Sequence, residues 1–191
     1  MKIDPIIKQI QTYCPSFKLV AGALTVELKT AVSDGEDKLP AAYVVRLDES
    51  GEYNDGLSND YRQEIEEQFG VLVFVNNRKQ DVRGQRAADQ LEDLRAELFK
   101  ALLQWCPSEA HDPIEYVAGS VQSIDKDRIA YAFEFKTTTV MTIEDSWRQV
   151  EYDAMPRLTK VHVDVDKIED PDEKPDGEIE AGFDVNFTNG A

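Results

Sequence analysis

Few side chains in this sequence are of types that catalyse reactions or bind metals. The two histidines, His111 and His162, lie far apart, and neither has a second histidine or a cysteine pair near it in the sequence. Their surroundings favour a surface position in a loop or strand over metal coordination. The two cysteines, Cys14 and Cys106, each begin a Cys-Pro-Ser triplet, and we interpret them as free thiols at helix ends rather than as a disulfide.

Motifs of the common enzyme classes are also missing from the sequence. It has no glycine-rich phosphate loop and no nucleophile elbow. Gly119 precedes a serine, but both lie in a predicted strand, where a β-bulge explains the glycine. Carboxylates are so numerous that any two of them carry little information as a catalytic pair. The sequence therefore predicts a protein that is not an enzyme, with no catalytic residues, no metal site and no cofactor.

One group of charges differs from the rest of the chain. Four cations crowd the turn before a predicted helix and its first turns, although cations at a helix N-terminus oppose the helix dipole at about 0.3–1 kcal/mol each. Either they form an indifferent solvated turn, or they contact acidic groups of another subunit or partner. The candidate acidic groups lie in a loop at 48–60 or in an acidic C-terminal arm. The candidate interface residues are Arg78, Lys79, Arg83, Arg86, Asp48, Glu49, Glu52 and Asp55.

Overall charge limits the function classes. The 191 residues carry a formal net charge of −17 and the sequence pI is about 4.4. Such a chain has little tendency to bind nucleic-acid backbones or anionic membranes. No apolar run approaches the roughly 20 residues of a membrane span, and the first residues lack the apolar core of a signal peptide, so we expect neither a membrane nor a secreted location.

The elements that would position these side chains centre on residues 69–107. Gly70 to Val75 is apolar on both faces of a two-residue period, which predicts a strand covered on both sides. The following helix has an apolar stripe, and Pro107 is predicted to end it. Residues 61–68 are predicted to lead into the central strand as one long ribbon. The stripe comprises Ala87, Ala88, Leu91, Leu94, Leu98, Leu102 and Trp105.

Further elements flank this centre. A short helix is predicted at 5–13, a strand at 41–47, a loop at 48–60, and a hairpin of two strands at 114–124 and 128–138. The predicted class is α+β: an antiparallel or mixed β-sheet with two main helices packed mostly on one face. An extended acidic arm follows. The predicted division places an α+β domain at 1–152 and the arm, with two short strands around an acidic linker, at 153–191.

Several short motifs together resemble the tail terminator (tail completion) proteins of long-tailed bacteriophages. The resemblance covers about residues 1 to 140, and its most distinctive piece is the helix end Trp105-x-Pro107. One departure is Gln104, where the family usually has glycine. The motifs are Leu39-Pro40-Ala41-Ala42-Tyr43-Val44, Phe69-Gly70-Val71-Leu72-Val73, Leu91-x-x-Leu94-Arg95, Ala101-Leu102-Leu103-Gln104-Trp105-Cys106-Pro107, and a hairpin with Gly119 before an aromatic-alternating strand.

The resemblance implies a structural virion protein at the head-proximal end of a phage tail, assembled in the host cytoplasm. Its implied partners are copies of itself in a ring, commonly a hexamer, together with the tail tube protein and the head connector. DNA would pass through the ring without specific binding. Alternatives are another head–tail junction component, such as a connector adaptor or tube-like subunit, or a small acidic enzyme or an inhibitor that mimics nucleic acid.

Overall fold

The computed structural model describes residues 1–22, 38–56, 60–77, 85–124, 128–156, 158–165, 179 and 181–187. The chain forms two compact units, residues 1–146 and 147–191. The helices and strands, in chain order, are α1 (Asp4–Tyr13), β1 (Leu19–Gly22), β2 (Ala41–Gly51), β3 (Arg62–Asn76), α2 (Gln85–Leu102), β4 (Glu115–Ile124), β5 (Arg128–Thr142), a 3-10 turn (Ile143–Asp145), α3 (Trp147–Ala154), β6 (Lys160–Val165) and β7 (Ala181–Asn186).

The first unit is built on a five-stranded sheet in the order β1-β2-β3-β5-β4. β1 runs parallel to β2, and the other neighbours are antiparallel, so the sheet is mixed. β4 and β5 form the predicted hairpin, whose connection at 125–127 lies outside the described residues. The predicted α+β class is confirmed.

β3 is the long central strand. It pairs with β5 along its whole length and with β2 over most of it, so residues 62–68 continue into the apolar run as predicted. Val71, Val73 and Val75 lie on the same face of the sheet, because alternate residues of a strand point the same way. All three are fully buried. Phe74 is buried on the opposite face, packed against Tyr43. The strand is therefore covered on both sides.

The two helices of this unit pack on one face of the sheet. α1 buries Ile6 and Ile10, and α2 buries its stripe against the valines of β3 and the phenylalanines of β5. The stripe prediction is wrong at Ala88, which is exposed, and Trp105 is only partly buried beyond the helix end. The buried residues of α2 are Ala87, Leu94, Leu98, Ala101 and Leu102.

The end of α2 differs from the prediction. The helix stops at Leu102, five positions before Pro107, because Gln104 adopts a left-handed backbone with φ 65°. The N–H of Gln104 then donates to the carbonyl of Ile114 at 3.1 Å, and the N–H of Ile114 donates to the carbonyl of Trp105 at 3.0 Å. The left-handed residue, not the proline, turns the chain towards β4.

The loop predicted at 48–60 is wrong for its first residues. β2 continues to Gly51, and its last residues pair with β3, with Glu49 opposite Glu67 and Gly51 opposite Ile65. A register shift between Arg46 and Glu49 separates this extension from the apolar part of β2. The Asp- and Glu-rich composition suggested a loop, but the length of β3 provides a partner for these residues.

The second unit contains α3 and a two-stranded antiparallel sheet of β6 and β7. The two strands were predicted, whereas α3 was not. No described residue of this unit is buried. Most of the predicted acidic linker lies outside the described residues, and the boundary predicted after residue 152 stays a prediction, since the division into units falls after Ser146.

Candidate interaction surfaces

The predicted basic cluster is only partly described by the structure. Arg78, Lys79 and Arg83 lie outside the described residues. Arg86 is exposed at the start of the described part of α2. The structure therefore places one of the four cations at a helix start, as predicted.

The predicted acidic partners divide into two pairs. Glu49 bonds Arg46 at 2.9 Å, and Asp55 bonds Arg62 at 3.0 Å, so these two carboxylates already have partners within the chain. Asp48 and Glu52 are exposed, and in the described part of the chain no ion pair involves either of them. These two remain available to another molecule.

β4 forms one edge of the described sheet, and it carries fewer charged residues than edge strands usually do. It spans ten residues, all but one of them exposed, and its only charged residue is Glu115. Val121 is 53% and Ile124 is 67% exposed. Natural edge strands are normally protected by charges or by prolines, because their free backbone groups pair readily with other strands. β4 carries little of this protection except its two register shifts.

A groove lies between this edge and α2. Val121 and Ile124 pair with Tyr131 and Ile129 of β5, so they lie on the helix side of the sheet. Towards the C-terminal end of α2, Phe99 covers this side of the sheet by packing on Tyr116, with ring centroids 4.8 Å apart. Towards the N-terminal end of α2, this side of the sheet is not covered, which leaves a groove of about 320 Å³. Its lining is mostly apolar and comprises Ala88, Leu91, Glu92, Arg95, Val121, Ile124, Ile129, Tyr131 and Phe133.

Gly119 lies in β4 for a reason that the sequence did not reveal. The register shifts fall on either side of it, between Tyr116 and Ala118 and between Val121 and Ser123, so the predicted bulge at the glycine itself is wrong. A Cβ atom at Gly119 would lie 2.6 Å from Oη of Tyr116 and 2.7 Å from Oη of Tyr131. The two tyrosine hydroxyls occupy the space that any side chain there would need.

The β6–β7 ribbon has two unlike faces. The side chains of its apolar face are half-buried or exposed, and Phe183 in its middle is 53% exposed. On the polar face, Lys160 bonds Asp184 at 2.6 Å, and the His162 ring lies 2.6 Å from Asp184 and 2.8 Å from Asp164. These contacts raise the pKa of His162, chiefly through the hydrogen bond to Asp184. The apolar face comprises Val161, Val163, Val165, Ala181, Phe183 and Val185.

A cluster of charged groups surrounds Glu67, which is buried on β3. Its carboxylate accepts from Nη2 of Arg46 at 3.3 Å and Nε2 of His111 at 2.9 Å, and it contacts the α-amino group of Met1. The His111 side chain is only 13% exposed, so the predicted surface position is wrong. This cluster has no signature in the sequence, because its residues are distant in the chain and are brought together by the sheet.

Ser108 completes a serine–histidine–glutamate chain of contacts. Its hydroxyl lies 2.7 Å from Nδ1 of His111, and burial lowers the pKa of this histidine, so the neutral ring accepts at Nδ1 and donates from Nε2 to Glu67. The same hydroxyl accepts the N–H of Ala110 at 3.3 Å, and the N–H of His111 donates to the Ser108 carbonyl at 3.2 Å. These bonds form a turn, so we interpret the arrangement as fixing residues 108–111 to the sheet.

The remaining candidate groups are the cysteines and the potential metal ligands. Cys14 and Cys106 are both free thiols, the first buried and the second exposed. Within the described ranges no group of three histidine, cysteine or carboxylate side chains is placed to hold a metal ion. Over the same residues, no helix is both long enough and apolar enough to cross a membrane.

The comparisons with known proteins address the first unit. The family model of the phage tail terminator protein matches residues 1–147. A comparison with curated proteins returned no match to this chain. The matched residues include the whole mixed sheet, α1, α2 and the edge strand β4. The chain therefore belongs to the phage tail terminator family, whose members have a structural role in phage tails.

Proposed function

We propose that copies of this protein form a ring, most simply a hexamer, on the head-proximal end of the tail tube. The ring stops polymerisation of the tube and offers a surface to the head connector. The observation that carries this proposal is the family match, which covers the first compact unit from end to end. The protein acts by contacts alone in this proposal, with no reaction to catalyse.

The exposed surfaces of the first unit support self-association. A closed ring requires two different surfaces on each subunit that meet head to tail. In the described part of the first unit, the groove beside β4 offers an apolar surface, and the exposed carboxylates Asp48 and Glu52 offer an acidic one. The basic cluster of Arg78, Lys79, Arg83 and Arg86 would meet acidic residues of a neighbour, either on this acidic surface or in the C-terminal arm.

The acidity of the protein suits a ring through which DNA passes. A subunit charge of −17 would give the ring a strongly negative potential. The phosphate backbone of DNA has the same sign, so it would be repelled from the lumen rather than retained on its wall. This accounts for an acidic chain in a position next to DNA.

Particles assembled without the protein test the proposed step. Loss of a terminator should give tubes of uncontrolled length without heads, whereas loss of a tube subunit should give no tubes at all. Loss of a connector adaptor should give tails of normal length beside separate heads. Electron microscopy of the products distinguishes the three, and either of the last two results would contradict the proposal.

A charge reversal tests the basic interface. Arg83→Glu with Arg86→Glu should weaken ring formation at low salt, because exposed ion pairs contribute about 0.2–1 kcal/mol each and are screened by salt. The matched control is Lys8→Glu with Lys100→Glu, which makes the same change in net charge on exposed helix positions elsewhere. Equal ring formation by both double variants at low salt would leave the solvated-turn interpretation in place.

A further inference from the structure

We infer that the groove between α2 and β4 binds the apolar face of the β6–β7 ribbon from a second copy of the protein. This inference rests on the proposed ring and identifies one of its subunit contacts. It joins two exposed apolar surfaces of the described chain, each taken from a different subunit. The central contact would be Phe183 of the ribbon against Val121 and Leu91 of the groove.

The groove has the properties of a binding surface for a small apolar ribbon. Its volume of about 320 Å³ is open to solvent, and its walls are the side chains of Leu91, Val121, Ile124 and Tyr131. Val121 and Ile124 are 53% and 67% exposed, so much of their apolar surface meets water. Covering an apolar side chain stabilises a complex by about 25 cal/mol per Å² of surface removed from water.

The ribbon presents a single face for such a contact. Its polar face is already occupied by the bonds that Asp184 accepts from Lys160 and His162. Its apolar face carries Val163 directly opposite Phe183, with a valine pair beside them. A two-stranded sheet is marginal in water by itself, so its apolar face gains stability from a partner surface.

Charge complementarity identifies a ribbon of this protein as the occupant, and the proposed ring would supply it from a second copy. In the sequence, residues 78–86 carry four cations and one carboxylate immediately before the helix turn whose Ala88 lines the groove. Residues 166–180, which connect β6 to β7, carry eight carboxylates and two lysines. The two strands of the ribbon are thus joined by an acidic segment, and the helix that forms one wall of the groove is preceded by a basic one. This pairing assigns the cationic cluster to the arm rather than to Asp48 and Glu52.

The size of the contact predicts a weak interaction between two subunits, which strengthens a ring when it is repeated. A ribbon of six residues in two strands covers about 20 by 10 Å, or roughly 200 Å² on each side. A stable interface between two proteins buries roughly 800 Å² on each side. The contact alone would therefore not hold a dimer at low concentration. Repeated around a closed ring, it would add to the other subunit contacts.

Mixed crosslinking tests the inference in the full-length protein. In a Cys106→Ser background, one chain carries Val121→Cys and a second carries Phe183→Cys, and the two are mixed, assembled and treated with a short bismaleimide. We expect a covalent heterodimer in assembled rings. A control mixture, in which Thr12→Cys replaces Val121→Cys on the exposed side of α1, should give none.

Three results would overturn the inference. Rings that form without the crosslink contradict the ribbon contact alone and leave the proposed function standing. A chain that carries both cysteines and crosslinks within itself at a dilution without rings contradicts the second copy as occupant. The absence of any ring, alone or on tubes, contradicts both proposals.

A substitution provides an independent measurement. Val121→Asp and Phe183→Asp should each raise the concentration needed for half assembly about tenfold, because each places a charge in the apolar contact. The control Tyr13→Asp alters an exposed aromatic residue outside both surfaces and should leave that concentration unchanged. Assembly by both variants at the wild-type concentration would contradict the inference.

Discussion

Nε2 of His111 lies 2.9 Å from Oε2 of Glu67, a carboxylate that is buried on the central strand. A buried carboxylate is stable only if its oxygens have hydrogen-bond partners. Here Nη2 of Arg46 donates to the other oxygen, Oε1. The pair connects the turn at 108–111 to β3 across 44 positions of sequence. It is a largely buried contact of the first unit, so its removal should affect stability rather than assembly.

Glu67→Ala should lower the free energy of unfolding by about 1–3 kcal/mol, because it leaves the Nε2–H of His111 without its acceptor. The control is Glu49→Ala, which removes the other carboxylate bonded to Arg46 but from a side chain that is 55% exposed. This control should change stability by no more than about 0.5 kcal/mol. Urea unfolding followed by circular dichroism measures both, and equal losses would contradict the assigned role of Glu67.

Gln104→Gly should stabilise the protein by about 0.5–1 kcal/mol. A residue other than glycine pays about 1–2 kcal/mol for a left-handed backbone, and part of this gain is lost to the greater freedom of glycine in the unfolded chain. Gln104→Ala is the control, because it removes the same side chain without relieving φ, and it should not stabilise. A higher melting temperature for the alanine variant than for the glycine variant would contradict this explanation.

The pKa values of the two histidines should be shifted in opposite directions, and one NMR titration measures both. The carboxylate partners raise the pKa of His162 above its usual 6.5, and burial lowers that of His111 below 6.5. The His162 contribution to ribbon stability is therefore present below pH 6.5 and lost as the pH rises through the folded pKa. The His111 contribution is present above pH 6.5 and lost as the pH falls through its folded pKa.

Asp184→Asn provides the matching control for this titration. It should move the midpoint of His162 towards 6.5, because it removes the charge of the main hydrogen-bond partner, and it should leave His111 unchanged. A His162 midpoint at or below 6.5 in the wild-type protein would show that the ribbon contacts do not persist in solution.

One thiol in each folded chain should react readily with Ellman's reagent at pH 8. Cys106 is exposed, whereas burial, with Glu97 nearby, raises the pKa of Cys14 to about 12 and keeps it protonated. Cys106→Ser should abolish the fast reaction, and Cys14→Ser should preserve it. A second thiol of equal rate in the native protein would show that the end of α1 opens in solution.

A chain truncated after Ser146 should fold cooperatively. Every buried residue that the structure describes lies between Ile6 and Thr139, so the truncation removes none of them. Under the ring proposal this fragment should assemble less well than the full chain, since it lacks the ribbon. A fragment that shows no cooperative urea transition would place the second unit in the core and contradict the predicted arm.

Local patterns in the sequence predicted most of the fold. The alternation in β5 and the run from Gly70 to Val75 identified the core strands, because periodicity reports directly on which face is buried. The same reasoning missed the extension of β2 through Asp48 to Gly51, since acidic residues at a strand end look like a loop until a long partner strand is known. It also placed the end of α2 at Pro107, because proline is visible in a sequence and a left-handed glutamine is not.

The candidate surfaces were less predictable than the fold. The basic cluster was found by composition, which needs no geometry. The groove depends on how far α2 extends over β4, and the Glu67 cluster depends on the sheet register, so neither has a signature in the sequence. The same is true of Gly119, whose neighbours Tyr116 and Tyr131 fill the space of a side chain only once β4 and β5 are paired.

The pairing of β3 has a mechanical consequence. Fifteen residues at about 3.3 Å each make a strand of roughly 50 Å, held on one side by β5 and on the other by β2. A pull between the two ends of β3 would load the hydrogen bonds of both ladders in shear, all at once. A pull on one end of β4, which has a ladder on one side only in the described sheet, would break its bonds one after another. The subunit should therefore resist tension along its centre and yield first at the edge strand.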